Sequence, residues 1–227
     1  MNQNFDPAYS SSTALQNFMQ RVYQWMAAGL ALTGFVALWT AGNPGLLRAL
    51  AGGGFLILAV VEIGIVFWLS ASIMKLSPQA ALAGFLVYSA LNGLTLSFIF
   101  VVYTGASIAT TFFIAAATFA GVSMFGWMTK SDLSSMRGVL FMGLIGVLIA
   151  SLVNFFLQSP ALYWIISYAG LAVFIGLTAY DTQMLKQWHH SGAAAGEQMA
   201  IMGALKLYLD FINLFLLLLR LFGRRRD

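Results

Sequence analysis

Four ionisable residues, Glu62, Asp181, Lys206 and Asp210, stand inside long apolar stretches of this chain. At the centre of a membrane helix each costs at least about 2.5–3.5 kcal/mol, so each needs a partner or a function. Asp181 lies in Leu177-Thr178-Ala179-Tyr180-Asp181-Thr182-Gln183, and Asp210 in Leu205-Lys206-Leu207-Tyr208-Leu209-Asp210-Phe211-Ile212-Asn213. The two stretches flank a small-residue linker centred on Ala194, with Asp181 thirteen residues before it and Asp210 sixteen after. In an antiparallel helical hairpin that mismatch of three residues is an axial offset of roughly 4–5 Å, within side-chain reach. Two carboxylates facing one another in low dielectric cannot both ionise freely, so they share a proton and titrate in coupled steps. With both protons gone they offer two anionic oxygens, the hard donors that calcium prefers. Protonation and cation occupancy then compete. The plainer alternative is that each aspartate joins a polar interhelical network with Tyr180, Thr178 or Asn213.

Lys206 stands four residues before Asp210, where an i,i+4 pair would neutralise it, unless its stem snorkels toward the cytoplasmic mouth. Lys206, Asp210 and Asn213 form one polar stripe on an otherwise apolar helix, which should face the bundle interior. Glu62, in Ala59-Val60-Val61-Glu62-Ile63-Gly64, is a third acid for that interior, and Ser89, Asn92 and Thr95 recur at three-residue spacing nearby. A polar lining drawn from Glu62, Asn92, Asp181 and Asp210 is one reading of these positions. Interhelical hydrogen bonds worth about 0.6 kcal/mol each are the simpler reading for the Ser, Asn and Thr stripe.

Other chemistries lack their residues. No Gly-rich loop carrying a lysine is present to hold ATP, and no Gly-x-Ser-x-Gly elbow. His189 and His190 are adjacent, without the i,i+4 spacing of a zinc helix, and read as loop residues. Without cysteine there is no thiolate or disulfide. The expectation is a protein that is not an enzyme, has no catalytic residue and carries no resident cofactor. Its net charge of +4 is scattered apart from Arg224, Arg225 and Arg226, so it lacks the clustered basic face that nucleic acid requires. That tail reads as a flank meeting lipid headgroups.

The elements that must position these groups follow from composition. Of 227 residues, 60% are hydrophobic and only 8% charged, and the apolar residues come in blocks of about 20, enough to cross a hydrocarbon core of roughly 30 Å. A soluble fold is excluded. The predicted fold class is all-α, a polytopic membrane protein, with spans at 22–41, 52–72, 80–103, 107–128, 138–158, 162–187 and 199–222. A polar amino-terminal tail over 1–21, without the features of a signal peptide, and a basic tail over 223–227 flank the transmembrane domain over 22–222. Asn43-Pro44-Gly45, Ser77-Pro78, Lys130-Ser131-Asp132, Ser159-Pro160 and the segment Ser191 to Gly196 break the runs, while the break near Thr104-Gly105-Ala106 is the weakest.

Arg21, Lys75, Lys130, Arg137 and Lys186 fall on one side and Arg48 alone in the internal loops of the other, which puts the amino terminus in the cytoplasm. An odd number of spans then carries the arginine tail outside, against the same rule. Either the last segment is re-entrant or the bias of the first six spans dominates, and seven spans are favoured because Phe211 to Phe222 is too apolar for water. Glycines such as Gly138, Gly143 and Gly146 read as helix-packing positions, and Trp25, Trp39, Trp68, Trp127, Trp164 and Trp188 as interfacial anchors.

The stretch Thr178-Ala179-Tyr180-Asp181-Thr182-Gln183, followed by Leu207-Tyr208-Leu209-Asp210-Phe211-Ile212-Asn213-Leu214-Phe215, resembles the signature of the Bax inhibitor-1 family, also called the transmembrane Bax inhibitor motif or lifeguard family. Tyr88 to Ser97 and Ser151 to Phe156 extend the likeness over nearly the whole chain, and the short tails are most similar to bacterial members. The resemblance implies a seven-helix bundle with the last helix central, whose aspartates, here Asp181 and Asp210, form a pH-sensitive latch over a calcium-permeable pore. In eukaryotic relatives the family is linked to calcium leak and suppression of cell death, and some bacterial members bind a membrane-anchored AAA protease. Certain members pair an arginine of the second helix with the aspartates. Here Ser70, Ala71, Ser72 and Ile73 occupy that region, with Lys75 nearby, and Lys206 is the candidate to supply the charge.

The expected function is therefore a pH-sensitive calcium or cation leak channel of the bacterial inner membrane. Its gate is Asp181 and Asp210, which also serve as transient calcium ligands, with Glu62, Asn92, Tyr180, Lys206 and Asn213 in support. Lipid, protons and calcium are the expected partners. The competing expectation is a regulatory protein that binds a membrane protease or another integral partner and transports nothing. A weaker third reading, proton-coupled solute transport, lacks spans broken by proline.

Overall fold

A short polar residue followed by proline sets where three of the helices begin, at Asn43, Ser77 and Ser159. The computed structural model describes residues 7–190 and 196–226, and among them the long elements are helices. After α1 (Pro7–Ala41), Asn43 accepts the Leu46 N–H at 3.3 Å with Pro44 at the first helical position, opening the short α2 (Pro44–Ala49). A wider π turn over Leu50–Gly54, containing Gly53 at φ +101°, leads into α3 (Phe55–Ser72). Ser77 and Pro78 repeat the cap and proline pattern to open α4 (Pro78–Leu96), which breaks at Ser97 and resumes as α5 (Ile99–Val102).

Thr104 caps α6 (Gly105–Met128) by accepting the Ser107 N–H, and α7 (Arg137–Leu157) follows a short turn capped by Asp132. Gln158, left-handed at φ 50°, closes α7, and Asn154 accepts the Ser159 N–H at 2.9 Å. Pro160 then starts α8 (Pro160–His190), and α9 (Glu197–Phe222) completes the chain of helices.

Among the described residues seven helical stretches are long and apolar enough to cross a bilayer: Thr13–Ala41, Phe55–Lys75, Pro78–Val102, Gly105–Met128, Leu133–Leu157, Pro160–Trp188 and Glu197–Phe222. The seven-span, all-α reading holds, and α9 is a continuous span rather than a re-entrant one. It is also the most buried of the seven: 72% of its apolar window is buried, against 6–39% for the others. Two boundaries move outward from the sequence expectation. The first helix already runs from Pro7, within the segment read as a polar tail, and α8 continues through His190, so the two histidines close a helix instead of occupying a loop. The linker expected between the last two spans lies outside the described residues except for Gly196.

The chain divides into two units. The first contains Met1–Phe98 and Leu185–Tyr208. There α3 and α4 form an antiparallel hairpin, with Leu69 against Gly84 and Phe55 against Phe98, whose rings meet edge to face at 5.3 Å. Helix α1 runs parallel to α4. A Cβ on Gly29 would stand 2.5 Å from the Phe85 ring, and one on Gly93 2.7 Å from the Thr33 carbonyl, so both glycines allow close approach of the helices. The first half of α9 packs here through Gly203, close to Leu185 and Val22, and through Tyr208, edge-on to Phe85 at 5.6 Å.

The second unit contains Ile99–Met184 and Leu209–Asp227. Helices α7 and α8 are antiparallel, with Gly143 against Val173 and Gly176 against Leu140. Of the three glycines read as a packing series on α7, only Gly143 meets a neighbour; Gly138 and Gly146 have open space where a Cβ would stand. The second half of α9 lies against α6 through Phe211, whose ring is 5.5 Å from that of Phe112 and 5.6 Å from that of Phe119.

Candidate functional site

Asp181 and Asp210 are both buried, 7% and 4% exposed, and both belong to the second unit. Their mutual orientation follows from one contact between their helices, where Gly170 of α8 makes room for Leu217 of α9, a Cβ there standing 3.2 Å from the leucine methyls. Asp181 lies eleven residues from Gly170 and Asp210 seven from Leu217. At about 100° per residue these are three and two whole turns, each within about 20° of the contact direction. Ideal-helix geometry thus carries both acids to the stripes by which α8 and α9 meet at Gly170 and Leu217. The four-residue difference places them roughly 6 Å apart along the axis, about one turn, close to the three-residue offset read from the linker.

Neighbouring residues fix this stretch of α8 from other directions. A Cβ on Gly126 of α6 would collide with the backbone of Ala179, so that glycine lets the two helices touch. The Ser123 and Thr182 hydroxyls meet at 3.0 Å between the same helices, while the Thr178 and Thr182 hydroxyls each donate to the carbonyl one turn back. The Gln183 side chain holds the turn before α7: its Nε2 donates to the Ser131 carbonyl and its Oε1 accepts the Leu133 N–H, both at 2.8 Å. None of Ser123, Thr182 and Gln183 was singled out from sequence as a site residue, although the last two lie within the stretch that carries Asp181.

Of the supporting residues in this unit, Tyr180 is part-buried and lines a cavity of about 270 Å³ with Gly121, Phe125, Leu140, Gly176 and Ala179. Asn213 is also part-buried and donates its amide back to the Leu209 carbonyl at 2.8 Å, a bond within its own helix.

The first unit holds a separate buried polar group. Glu62 on α3, 8% exposed, accepts the Thr95 hydroxyl of α4 where the hairpin register brings the two together. Asn92, one turn before Thr95, is buried as well. On the neighbouring turn the Thr33 hydroxyl of α1 donates to the Ser89 carbonyl at 2.8 Å and meets the Tyr208 hydroxyl at 2.7 Å. Tyr208 was legible as part of a motif, but the sequence offered no sign that Thr33 would be its partner. Lys206 belongs to this unit and is part-buried. At the first turn of α9, Glu197 accepts the Trp25 indole N–H at 2.6 Å and pairs with Arg21 at 3.2 Å, so Trp25 is more than an interfacial anchor.

Among the described residues no group of three or more His, Asp or Glu side chains converges as a metal cluster. Calcium held tightly takes six to eight oxygens, so two carboxylates suit a passing cation better than a resident one.

Comparison with known sequences gives a consistent answer. Residues 15–227 match the family described as "Inhibitor of apoptosis-promoting Bax1". The chain is 49% identical to "Inner membrane protein YbhL" of Escherichia coli (strain K12), over 97% of both chains. It is 42% identical to "Uncharacterized protein RP147" of Rickettsia prowazekii, covering 94% of this chain and 92% of that one. A protein of Deinococcus radiodurans named "Uncharacterized protein" is 45% identical over 94% of this chain and 92% of its own length. With seven spans and these relatives, the molecule is a multi-pass protein of the inner membrane.

Proposed function

The chain belongs to the Bax inhibitor-1 family, and from that premise we propose that it is a pH-sensitive leak for calcium or a similar hard cation, gated by Asp181 and Asp210. The observation that supports this most directly is that both acids are buried, and ideal-helix geometry counted from the Gly170 and Leu217 contact puts them on facing stripes about one turn apart. Two carboxylates so placed cannot both carry charge without compensation. A proton shared between them satisfies the pair; its loss leaves oxygen donors that a passing divalent cation neutralises. Tyr180, one residue from Asp181, and Asn213, one turn beyond Asp210, are the polar residues proposed to support the pair. Glu62 and Asn92 make a second buried polar group, in the first unit, for which we propose a supporting role. The amino terminus is placed in the cytoplasm on the strength of the loop charges.

The experiment is calcium flux into liposomes containing the purified protein across pH 5 to 8, beside Asp181→Asn and Asp210→Asn. Flux that depends on pH and on both aspartates is the expected result. Flux no greater than in empty vesicles at every pH would sink the channel and leave the alternative, a regulator that binds a membrane-anchored protease or another integral partner and conducts nothing.

A further inference from the structure

The arginine tail is not a loose flank. Its backbone is stitched to the segment before α6: Thr104 donates its N–H to the Arg224 carbonyl at 3.0 Å, Arg226 donates to the Val102 carbonyl at 2.9 Å, and the Arg224 N–H reaches the Ser107 hydroxyl at 2.8 Å. Tyr103 and Arg225 pair as an isolated antiparallel bridge. These bonds hold three guanidinium-bearing residues at the rim of a cavity of about 810 Å³, whose other walls include Thr104, Ser107, Thr110 and Ile114.

The walls have the chemistry of an anion site. The Thr104 and Ser107 oxygens each accept one backbone N–H, from Ser107 and Arg224, and each hydroxyl still has its proton to donate to an anion. Arginine forks match phosphate oxygens in geometry as well as charge. The cavity also has length. From Thr104 to Ile114 it follows about ten residues of α6, roughly 15 Å, running from the polar end of the helix toward hydrocarbon depth. Phe222 is 65% exposed at its edge, and Phe113, next to Ile114, is 70% exposed. A free anion needs only the polar end, whereas a lipid fills both.

We propose that this cavity binds an anionic phospholipid, with Arg224, Arg225 and Arg226 and the Thr104 and Ser107 hydroxyls on the headgroup phosphate and an acyl chain along Ile114 and Phe222. The site gives a reason for three arginines at the end of a seventh span, the side where loop charge is otherwise scarce.

The test uses the full chain in detergent, with retained lipid counted by native mass spectrometry as phosphatidylglycerol, phosphatidylcholine of the same acyl chains, or inorganic phosphate is titrated. Phosphatidylglycerol should bind at least about tenfold more tightly than phosphatidylcholine. That preference should vanish in the triple variant Arg224→Gln, Arg225→Gln, Arg226→Gln. It should also fall in Thr110→Phe, which fills the cavity and leaves every arginine in place, so the proposal stays testable if the triple variant fails to fold. Equal binding of the two lipids overturns the proposal. So does a preference that survives Thr110→Phe, which would mean diffuse attraction to exposed arginines, and so does complete competition by inorganic phosphate, which would make the free anion the ligand.

Discussion

The Gln183 carboxamide accepts the Leu133 backbone N–H at 2.8 Å, fifty positions away in sequence, and its amide donates to Ser131 at the same distance. One side chain on α8 thereby fastens the turn between α6 and α7, two residues from Asp181. Gln183→Leu leaves a buried N–H and a carbonyl without their partner, which should destabilise the protein by about 2 kcal/mol. The readouts are the melting temperature in detergent and faster trypsin cleavage after Lys130, which is exposed beside that turn. Unchanged cleavage would show that the turn is held by other means.

A gate in which protons and calcium compete has a signed consequence. If calcium binds the deprotonated pair, as proposed, then by linkage more calcium moves the midpoint of the pH dependence to lower pH, and lower pH raises the calcium needed for half-maximal flux. Both shifts should disappear in Asp210→Asn and in Asp181→Asn. A midpoint indifferent to calcium concentration would separate the proton sensor from the permeation site.

Thr33 and Tyr208 predict a non-additive pair. Tyr208→Phe removes one buried hydrogen bond and should cost about 1 kcal/mol. Thr33→Val removes two bonds, to the Tyr208 hydroxyl and to the Ser89 carbonyl, and should cost more, about 1–3 kcal/mol. Since both changes remove the same contact, the double variant should be less destabilised than the sum, as read by equilibrium unfolding in mixed micelles. Strict additivity would mean that the 2.7 Å contact contributes nothing.

The glycines divide into two kinds. Gly126→Ala sets a methyl against the Ala179 backbone, which cannot swing aside, and should destabilise by about 1–3 kcal/mol. Gly146→Ala meets nothing within 4 Å and should be neutral or stabilising by up to about 1 kcal/mol through helix propensity. Melting temperatures of the two variants, one lowered and one held or raised, check the distinction.

The contrast between those glycines also shows what was legible in the sequence. Span number and caps could be read because each rests on local chemistry: apolar length, and a short polar residue before proline at Asn43, Ser77 and Ser159. Asp181 and Asp210 stood out because a carboxylate in an apolar run is costly wherever its helix turns. Their facing was not legible, because it depends on the contact of Gly170 with Leu217, and a glycine in a membrane helix looks the same whether it meets a neighbour or lipid. Thr33 and Gln183 were missed for a related reason. A threonine hydroxyl is common enough in apolar helices to carry no signal, and the partners of Gln183 are backbone groups, which every residue possesses. The run of α1 before Val22, back to Pro7, was missed because the rule for apolar length looks for membrane spans and passes over helix that is polar enough for water.

The burial of α9 has a consequence for how the molecule is made. A ribosome releases α1 through α8 before the helix that carries Tyr208, Leu214 and Leu219, all at most 1% exposed. Until it arrives, the surfaces that will enclose it have only lipid or the insertion machinery for company, so nascent intermediates stopped before Glu197 should remain associated with that machinery and open to proteolysis. Assembly would then be completed by the last span, and quality control would have one late event to monitor.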